Sequence, residues 1–170
     1  MSKLKIVTYP NKILTKKSEP VTDINKEIHK LIEDMADTMY AFSGVGLAAI
    51  QVGIPKQIII YDHIAEENKR NFQALINPEI VKHNGSQTSE KEGCLSLPGL
   101  RANVRRFQAV SVKGLNLQGK PVTIDAEGLL AVILQHEIEH LNGALLVDKI
   151  SALKRNIYKR KTLKNLKREQ

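Results

Sequence analysis

The sequence has a single cysteine, Cys94, among its 170 residues, so no disulfide can form within the chain. It also lacks a long apolar run, and its basic, polar first residues are unlike a signal peptide or a transit sequence. A chain of this length fits one domain that buries a core without disulfides. We therefore expect a soluble protein in a reducing compartment.

Positive charge is concentrated at one end of the chain. The formal net charge is +8, with 26 Lys and Arg residues against 18 Asp and Glu residues. The segment 149–170 carries this whole excess, and the preceding residues are neutral overall. The two parts need separate explanations, because the position of the charge matters more than its sum. We predict a catalytic domain over residues 1–150 and a basic helical extension over residues 151–170.

The apolar pattern predicts an α+β fold. A helical period runs from Ile24 to Met39, which Thr22 or Asp23 would cap, and residues 43–46 then predict a tight turn or a binding loop. Residues 90–99 are rich in turn formers, and strands are predicted at 56–61, 73–76, 80–83, 109–115 and 121–124. We expect antiparallel β-sheets packed around a central metal-binding helix, with an N-terminal helix and a basic C-terminal helix.

The central helix lies in the apolar run from Leu129 to Leu146, which contains the sequence LQHEIEHLNG. His136 and His140 fall one helical turn apart on the same face, where both imidazoles can bind one divalent ion. Such an ion supplies the partner that buried imidazoles need, although two hydrogen-bonded core histidines are an alternative. Glu137 lies beside the ion rather than on it, and can take a proton from metal-bound water. The pattern predicts a metal-dependent hydrolase.

A catalytic metal site needs a third protein ligand and one open position. Residues after His140 include no histidine or cysteine, and Asp148 lies too far along the helix. The third ligand should therefore come from upstream, and Cys94 is the best candidate because a thiolate suits Zn, Fe, Co or Ni. The competing candidates lie among polar residues, which is typical of a surface: His29, His63 and His83.

Three short motifs occur in order along the chain: GVGLAAIQ at 44–51, EGCLS at 92–96 and QHEIEH at 135–140. They resemble the G-x-G-L-A-A-x-Q, E-G-C-L-S and Q-H-E-x-D-H motifs of peptide deformylase. Members of this family are metal hydrolases that remove the formyl group from the N-terminal methionine of new bacterial proteins. The resemblance implies Cys94, His136 and His140 as ligands and water as the fourth. It also implies Fe(II) as the physiological metal, with Zn(II), Ni(II) or Co(II) as substitutes.

The same resemblance implies roles for the neighbouring residues. Glu137 would be the general base and acid, while the Gln51 amide and the Leu95 backbone N–H would stabilise the negative charge on the formyl oxygen. Gly46 would offer its backbone to the formyl or peptide group. The substrate methionine would need an unbranched apolar slot beside the metal, and the candidates to line it are Val45, Leu129, Val132 and Ile133.

Three further positions lie in or near these motifs. Ile50 stands where proline is common, at a position with no assigned chemistry. Glu139 replaces the usual aspartate, and its extra methylene would shift the groups that it orients. We expect catalysis to survive with a modestly altered site. Arg101 matches a position where arginine is common, and it either braces the loops or is a solvated surface residue.

The basic extension predicts a helix with a weak apolar stripe, formed by Leu153, Ile157, Leu163 and Leu166. Dense Lys and Arg attract phosphates, whereas the lack of Trp and Phe argues against a membrane surface. A solvated, frayed terminus is the alternative. The resemblance favours RNA, because deformylases with a C-terminal helix use it to dock on the ribosome near the tunnel exit. The expected partners are formylmethionyl nascent peptides and the ribosome, with no membrane and no DNA, in the bacterial cytoplasm.

Two other functions fit the residues less well. A general metallopeptidase would share the H-E-x-x-H pattern but usually takes its third ligand from downstream. An RNA-binding protein with a structural metal would need four protein ligands, which a chain with one cysteine and no other cluster does not readily supply.

Overall fold

The computed structural model describes residues 3–64 and 70–168. Within these ranges it has three α-helices, α1 (Lys26–Ala41), α2 (Gly128–Leu141) and α3 (Ala152–Leu166). Seven strands lie between α1 and α2: β1 (Gly46–Ala48), β2 (Ile58–Tyr61), β3 (Gln73–Asn84), β4 (Gln87–Glu92), β5 (Ala102–Arg106), β6 (Ala109–Leu115) and β7 (Pro121–Glu127). The predicted α+β class, its antiparallel sheets and its two terminal helices are confirmed.

The larger sheet has the order β1-β2-β3-β6-β7, and every neighbouring pair is antiparallel. β4 and β5 form a separate two-stranded sheet. Because side chains alternate along a strand, Ile58 and Ile60 pack in the cluster around α1, whereas Ile59 packs in the cluster around α2. Helices therefore cover both faces of the larger sheet, and β2 is buried throughout.

Helix α2 is buried on nearly all sides, as its apolar composition predicted. It contacts β1, β2, β3, β6 and β7, so the whole sheet holds it in place. Four of its buried residues are polar or ionisable: Gln135, His136, Glu137 and His140. Burial of such groups costs free energy unless each has a partner. The contacts of these four side chains therefore indicate the function of the helix.

The N-terminal cap of α1 differs from the prediction. The Asn25 side chain accepts hydrogen bonds from the backbone N–H groups of Glu27 and Ile28, both at 3.1 Å. The predicted caps Thr22 and Asp23 are therefore wrong. Apolar periodicity locates a helix but cannot choose among several polar residues in front of it.

Two parts of the β-structure also differ from the prediction. Residues 73–76 and 80–83 belong to one strand, β3, which bends at Asn77 with a φ of 51° instead of ending there. The Asn77 side chain holds this bend by exchanging two hydrogen bonds with the backbone of Val21. In addition, β4 and β5 were not predicted, because the turn formers of residues 90–99 masked two short strands on either side.

Helix α3 rests on the domain through Tyr158, which is buried. Its hydroxyl donates to the carbonyl oxygen of Pro98 at 3.2 Å, and its ring lies 5.9 Å from that of Tyr9. The predicted apolar stripe is exposed instead, with Leu153 at 71% and Ile157 at 58% exposure. None of the helices in the described ranges is long and apolar enough to cross a membrane.

We predict that Asn25→Ala lowers the free energy of unfolding by about 1 kcal/mol, because two N–H groups at the start of α1 lose their acceptor. Urea unfolding followed by circular dichroism measures the change. Asn25→Asp keeps a capping oxygen and should lose much less. An equal loss in both variants would contradict a capping role for this side chain.

Candidate active site

Three potential metal ligands converge at the centre of the molecule. The donor atoms of Cys94, His136 and His140 all lie within 4.8 Å of one another, and all three side chains are buried. The Nε2 atom of His140 lies 3.2 Å from Cys94 Sγ and 3.2 Å from His136 Nε2. The histidines come from successive turns of α2, and the cysteine comes from the segment after β4.

The spacing of these atoms fits a single ion. Two nitrogen ligands of a tetrahedral ion lie about 3.3 Å apart, and a sulfur and a nitrogen ligand lie about 3.5 Å apart. Burial lowers the pKa of His140 well below its usual value, which keeps the ring neutral as a ligand must be. Burial also opposes a charge on His136, but Cys94, Glu92 and Glu137 raise the pKa of this ring well above its usual value. The groups around His136 that favour a proton on its ring also favour a metal cation there.

A buried carboxylate orients the first histidine. His136 Nδ1 donates a hydrogen bond to Glu92 Oε1 at 2.7 Å, which leaves Nε2 free to bind an ion. Glu92 also pairs with Arg106, whose Nη2 lies 2.5 Å from Oε1 and whose Nε lies 3.2 Å from Oε2. Burial opposes the charge on Glu92, but the bonds from His136 and Arg106 lower its pKa to about 2. Glu92 therefore stays ionised.

Glu139, the residue that departs from the family motif, extends this network. Its Oε1 atom lies 2.8 Å from Arg106 Nη1 and 2.7 Å from Lys149 Nζ. Its connection to His136 is indirect and runs through Arg106 and Glu92. The additional methylene is thus accommodated in an ion-pair network that also includes Lys149, a residue close to the start of α3.

Glu137 lies beside the ligands, in close contact with the backbone of β1. A side chain at Gly46 would overlap the Glu137 carboxylate, so this approach requires glycine. Among the described residues no hydrogen-bond partner reaches Glu137 Oε2, although this atom is buried. Burial raises the pKa of Glu137 to about 7, a value suited to a group that accepts and returns a proton near neutral pH.

The Gln51 amide is oriented toward the ligand cluster. Its Oε1 atom accepts a hydrogen bond from the Ala48 N–H at 2.8 Å, which turns the Nε2 donor toward Cys94 Sγ at 3.5 Å and Ser96 Oγ at 3.2 Å. Leu95 directly follows the cysteine and lines the same cleft. The predicted donors Gln51 and Leu95 therefore lie next to the potential ligands.

These groups open into a cleft of about 730 Å³. Of the residues predicted to hold the substrate, Val45, Gly46, Val132 and Ile133 line it. Leu129 is not among its lining residues, and its side chain, in the first turn of α2, is 58% exposed. Its part in holding the substrate stays a prediction.

The other residues considered in the sequence, three histidines and Arg101, are exposed. His29, His63 and His83 are all exposed, as predicted, and none belongs to the ligand cluster found among the described residues. Arg101 is exposed, lines the cleft and lies across Gly93, where a side chain would overlap its guanidinium group.

No role was predicted for Glu92, Arg106 or Ser96. Arg106 did carry a signal, because in β5 the alternate residues Ala102, Val104 and Arg106 are buried. A charged residue at an apolar position of an alternating strand predicts a buried partner. The two-stranded sheet had to be recognised first, and it was not.

Three converging potential metal ligands, a buried carboxylate beside them and an open cleft form the arrangement expected of a metal-dependent hydrolase. Comparison with known proteins agrees with this class. Residues 3–156 match the model of the polypeptide deformylase family. A peptide deformylase of Desulfosudis oleivorans is 50% identical over 98% of this chain and 96% of its own length. One of Thermodesulfovibrio yellowstonii is 49% identical over 95% of this chain and 97% of its own length.

Solved structures agree over the same length. A crystal structure of a peptide deformylase from Legionella pneumophila has a TM-score of 0.90 at 42% identity, covering 99% of both chains. That of the Ehrlichia chaffeensis enzyme in complex with actinonin has a TM-score of 0.89 at 39% identity, covering 97% of this chain and 98% of its own. The chain belongs to the polypeptide deformylase family.

We predict that Glu92→Gln weakens metal binding by roughly 10- to 100-fold, because His136 loses the carboxylate that fixes its ring. Titration of the metal-loaded protein with a chelator measures the affinity, and thermal unfolding of the metal-free protein reports the fold separately. Glu90→Gln removes an exposed carboxylate from the same strand as a matched control. Equal affinity in the two variants would exclude an orienting role for Glu92.

Proposed function

We propose that this protein removes the N-formyl group from the formylmethionine that begins nascent polypeptides, releasing formate, with Glu137 as general base. The observation that carries the proposal is the meeting of Cys94, His136 and His140 beside the buried, unpartnered oxygen of Glu137, in a chain of this family. We further propose Fe(II) as the metal in the cell, with Zn(II), Ni(II) or Co(II) as substitutes, since one thiolate and two imidazoles suit all four.

Each residue of the site has a separate role in the proposed hydrolysis. A divalent ion held by Cys94, His136 and His140 would activate water and polarise the formyl carbonyl. Glu137 takes the proton from the attacking water and later delivers it to the departing amine. The Nε2 group of Gln51 and the N–H of Leu95 donate to the carbonyl oxygen as negative charge develops on it. The bond from Ala48 holds the Gln51 amide in the orientation that this requires.

The substrate methionine occupies the apolar part of the cleft between Val45, Val132 and Ile133, with Leu129 as a further proposed contact from the first turn of α2. These side chains present hydrocarbon next to the ligand cluster, which suits a straight thioether chain. Gly46 offers its backbone to the formyl or peptide group from the edge strand β1. Separate positions for the methionine side chain and the formyl group explain why the cleft is apolar at Val45, Val132 and Ile133 and polar at the potential ligands.

We also propose that residues 151–170 are a ribosome-binding extension of a catalytic domain formed by residues 1–150, acting in the bacterial cytoplasm where nascent chains emerge. Glu169 and Gln170 lie outside the described residues. Tyr158 fixes one side of α3 to the domain, while four bases of its central part are exposed: Lys159, Arg160, Lys161 and Lys164. An exposed basic helix on a neutral body favours the phosphates of RNA.

We predict that the Fe(II)- or Ni(II)-loaded protein, prepared without oxygen, releases amine from formyl-Met-Ala-Ser but not from acetyl-Met-Ala-Ser. Glu137→Gln should lower this activity by about 10²- to 10⁴-fold without loss of metal, because only the proton acceptor is removed. Glu127→Gln changes an exposed glutamate that makes no capping bond, and serves as the matched control. Rapid hydrolysis by Glu137→Gln would overturn the assignment of the base.

We predict that replacing Lys159, Arg160, Lys161 and Lys164 by Gln weakens ribosome binding in cosedimentation while hydrolysis of formyl-Met-Ala-Ser persists. The slope of log affinity against log salt should fall by about 0.7 to 0.9 for each phosphate that the helix no longer neutralises. Substitution is preferable to deletion of the helix, because Tyr158 is buried against the domain. The control replaces four exposed lysines elsewhere, Lys26, Lys82, Lys113 and Lys120, and equal weakening in both variants would contradict a specific role for α3.

A further inference from the structure

The mouth of the cleft carries an unbalanced positive charge. Lys5, Lys91 and Arg101 line the cleft, and all three are exposed. The acids among its lining residues are Glu92 and Glu137, and both lie at the inner end beside the ligands. The charge of Glu92 is balanced by Arg106 and His136, so it does not offset the bases at the mouth.

Among the residues that the structure describes, no carboxylate forms an ion pair with any of these three bases. Within the described ranges, the side chain of Arg101 donates only to the backbone carbonyl oxygen of Leu100, at 3.4 Å. Lys5 follows Leu4, whose N–H donates to Thr38 Oγ1 at 2.9 Å, so the chain at this side of the cleft is held against α1. The backbone beside Lys5 is therefore held in place, and all three bases are accessible to an incoming anion.

Lys91 reaches the cleft because β4 is irregular at this point. The register of β4 against β5 shifts between Ser89 and Glu92, and Lys91 has a φ of 51°. Its backbone N–H donates to Asn103 Oδ1 at 3.0 Å, which holds the bulge. In a regular strand, neighbouring side chains face opposite ways, whereas here both Lys91 and Glu92 line the cleft. The bulge thus places a base at the mouth and the His136 partner at the inner end.

The proposed reaction determines which part of a substrate meets these bases. With the formyl group at the ligands and the methionine side chain between Val45 and Ile133, the rest of the peptide leaves through the open side. An extended chain advances about 3.3 to 3.6 Å per residue, so the second to fourth residues cross the mouth. A negative side chain there would approach Lys5, Lys91 and Arg101.

We infer that Lys5 and Lys91, together with Arg101, make this cleft select formylmethionyl peptides with an acidic residue at the second to fourth position over basic ones. This inference rests on the proposed function. Because the bases are exposed, the preference depends on long-range attraction and weakens as salt is added. It is a discrimination among substrates by charge and adds nothing to the chemical step.

The test compares formyl-Met-Ala-Ser-Ala with peptides that carry Asp, Asn or Lys at the second, third or fourth position. We expect kcat/KM for the best Asp peptide to exceed that of its Lys counterpart about tenfold at low salt, and the ratio to fall toward one near 0.5 M salt. The Asn peptide should lie between them, since it matches Asp in shape but has no charge. A ratio near one at low salt would overturn the inference.

Charge reversal distinguishes the cleft from the overall charge of the protein. Lys5→Glu combined with Lys91→Glu should invert the preference, so that the Lys peptide becomes the better substrate. The matched control combines Lys113→Glu in β6 with Lys120→Glu just before β7. These residues do not line the cleft, so the variant changes the net charge equally and should keep the wild-type preference. An equal change in both variants would overturn the inference. Failure to hydrolyse any formyl peptide would overturn the proposed function as well, whereas hydrolysis without charge preference would overturn this inference alone.

Discussion

The hydrogen bond from His136 to Glu92, reinforced by Arg106, is the interaction on which the site depends. It joins the central helix to the small β4–β5 sheet, because His136 comes from α2, Glu92 from β4 and Arg106 from β5. Each buried charge is balanced by its neighbours, which limits the cost of removing the groups from water. The same bond selects which imidazole nitrogen faces the cleft. This network therefore stabilises the packing of α2 against the β4–β5 sheet and orients His136, a potential metal ligand.

Close backbone approach is the second constraint on the site. Gly46 lets β1 contact the Glu137 carboxylate, and the Ala48 N–H on the same strand fixes the Gln51 amide. A short edge strand thus positions both the proposed base and a proposed donor to the formyl oxygen. Because β1 pairs with the fully buried β2, these groups are held by the core of the protein and not by a free loop.

Much of this arrangement could be predicted from the sequence. The apolar run around H-E-x-x-H predicted a buried helix with two ligands and a base, and the lack of a suitable ligand after His140 left Cys94 as the best third candidate. The network behind the ligands could not be predicted, because β4 and β5 are short strands rich in polar residues and residues 93–101 between them are rich in turn formers. Asn25 was missed because several residues before α1 are suitable caps.

The identity of the ligands is the central claim, and X-ray absorption spectroscopy of the metal-loaded protein tests it most directly. The account predicts one sulfur and two imidazole nitrogens around the ion, with the sulfur lost in Cys94→Ser, because these donors lie within 4.8 Å of one another and the cleft leaves a fourth position open. A shell without sulfur, or one closed by a fourth protein ligand, would contradict it. The first result would remove Cys94 from the site, and the second would leave no position for water or substrate.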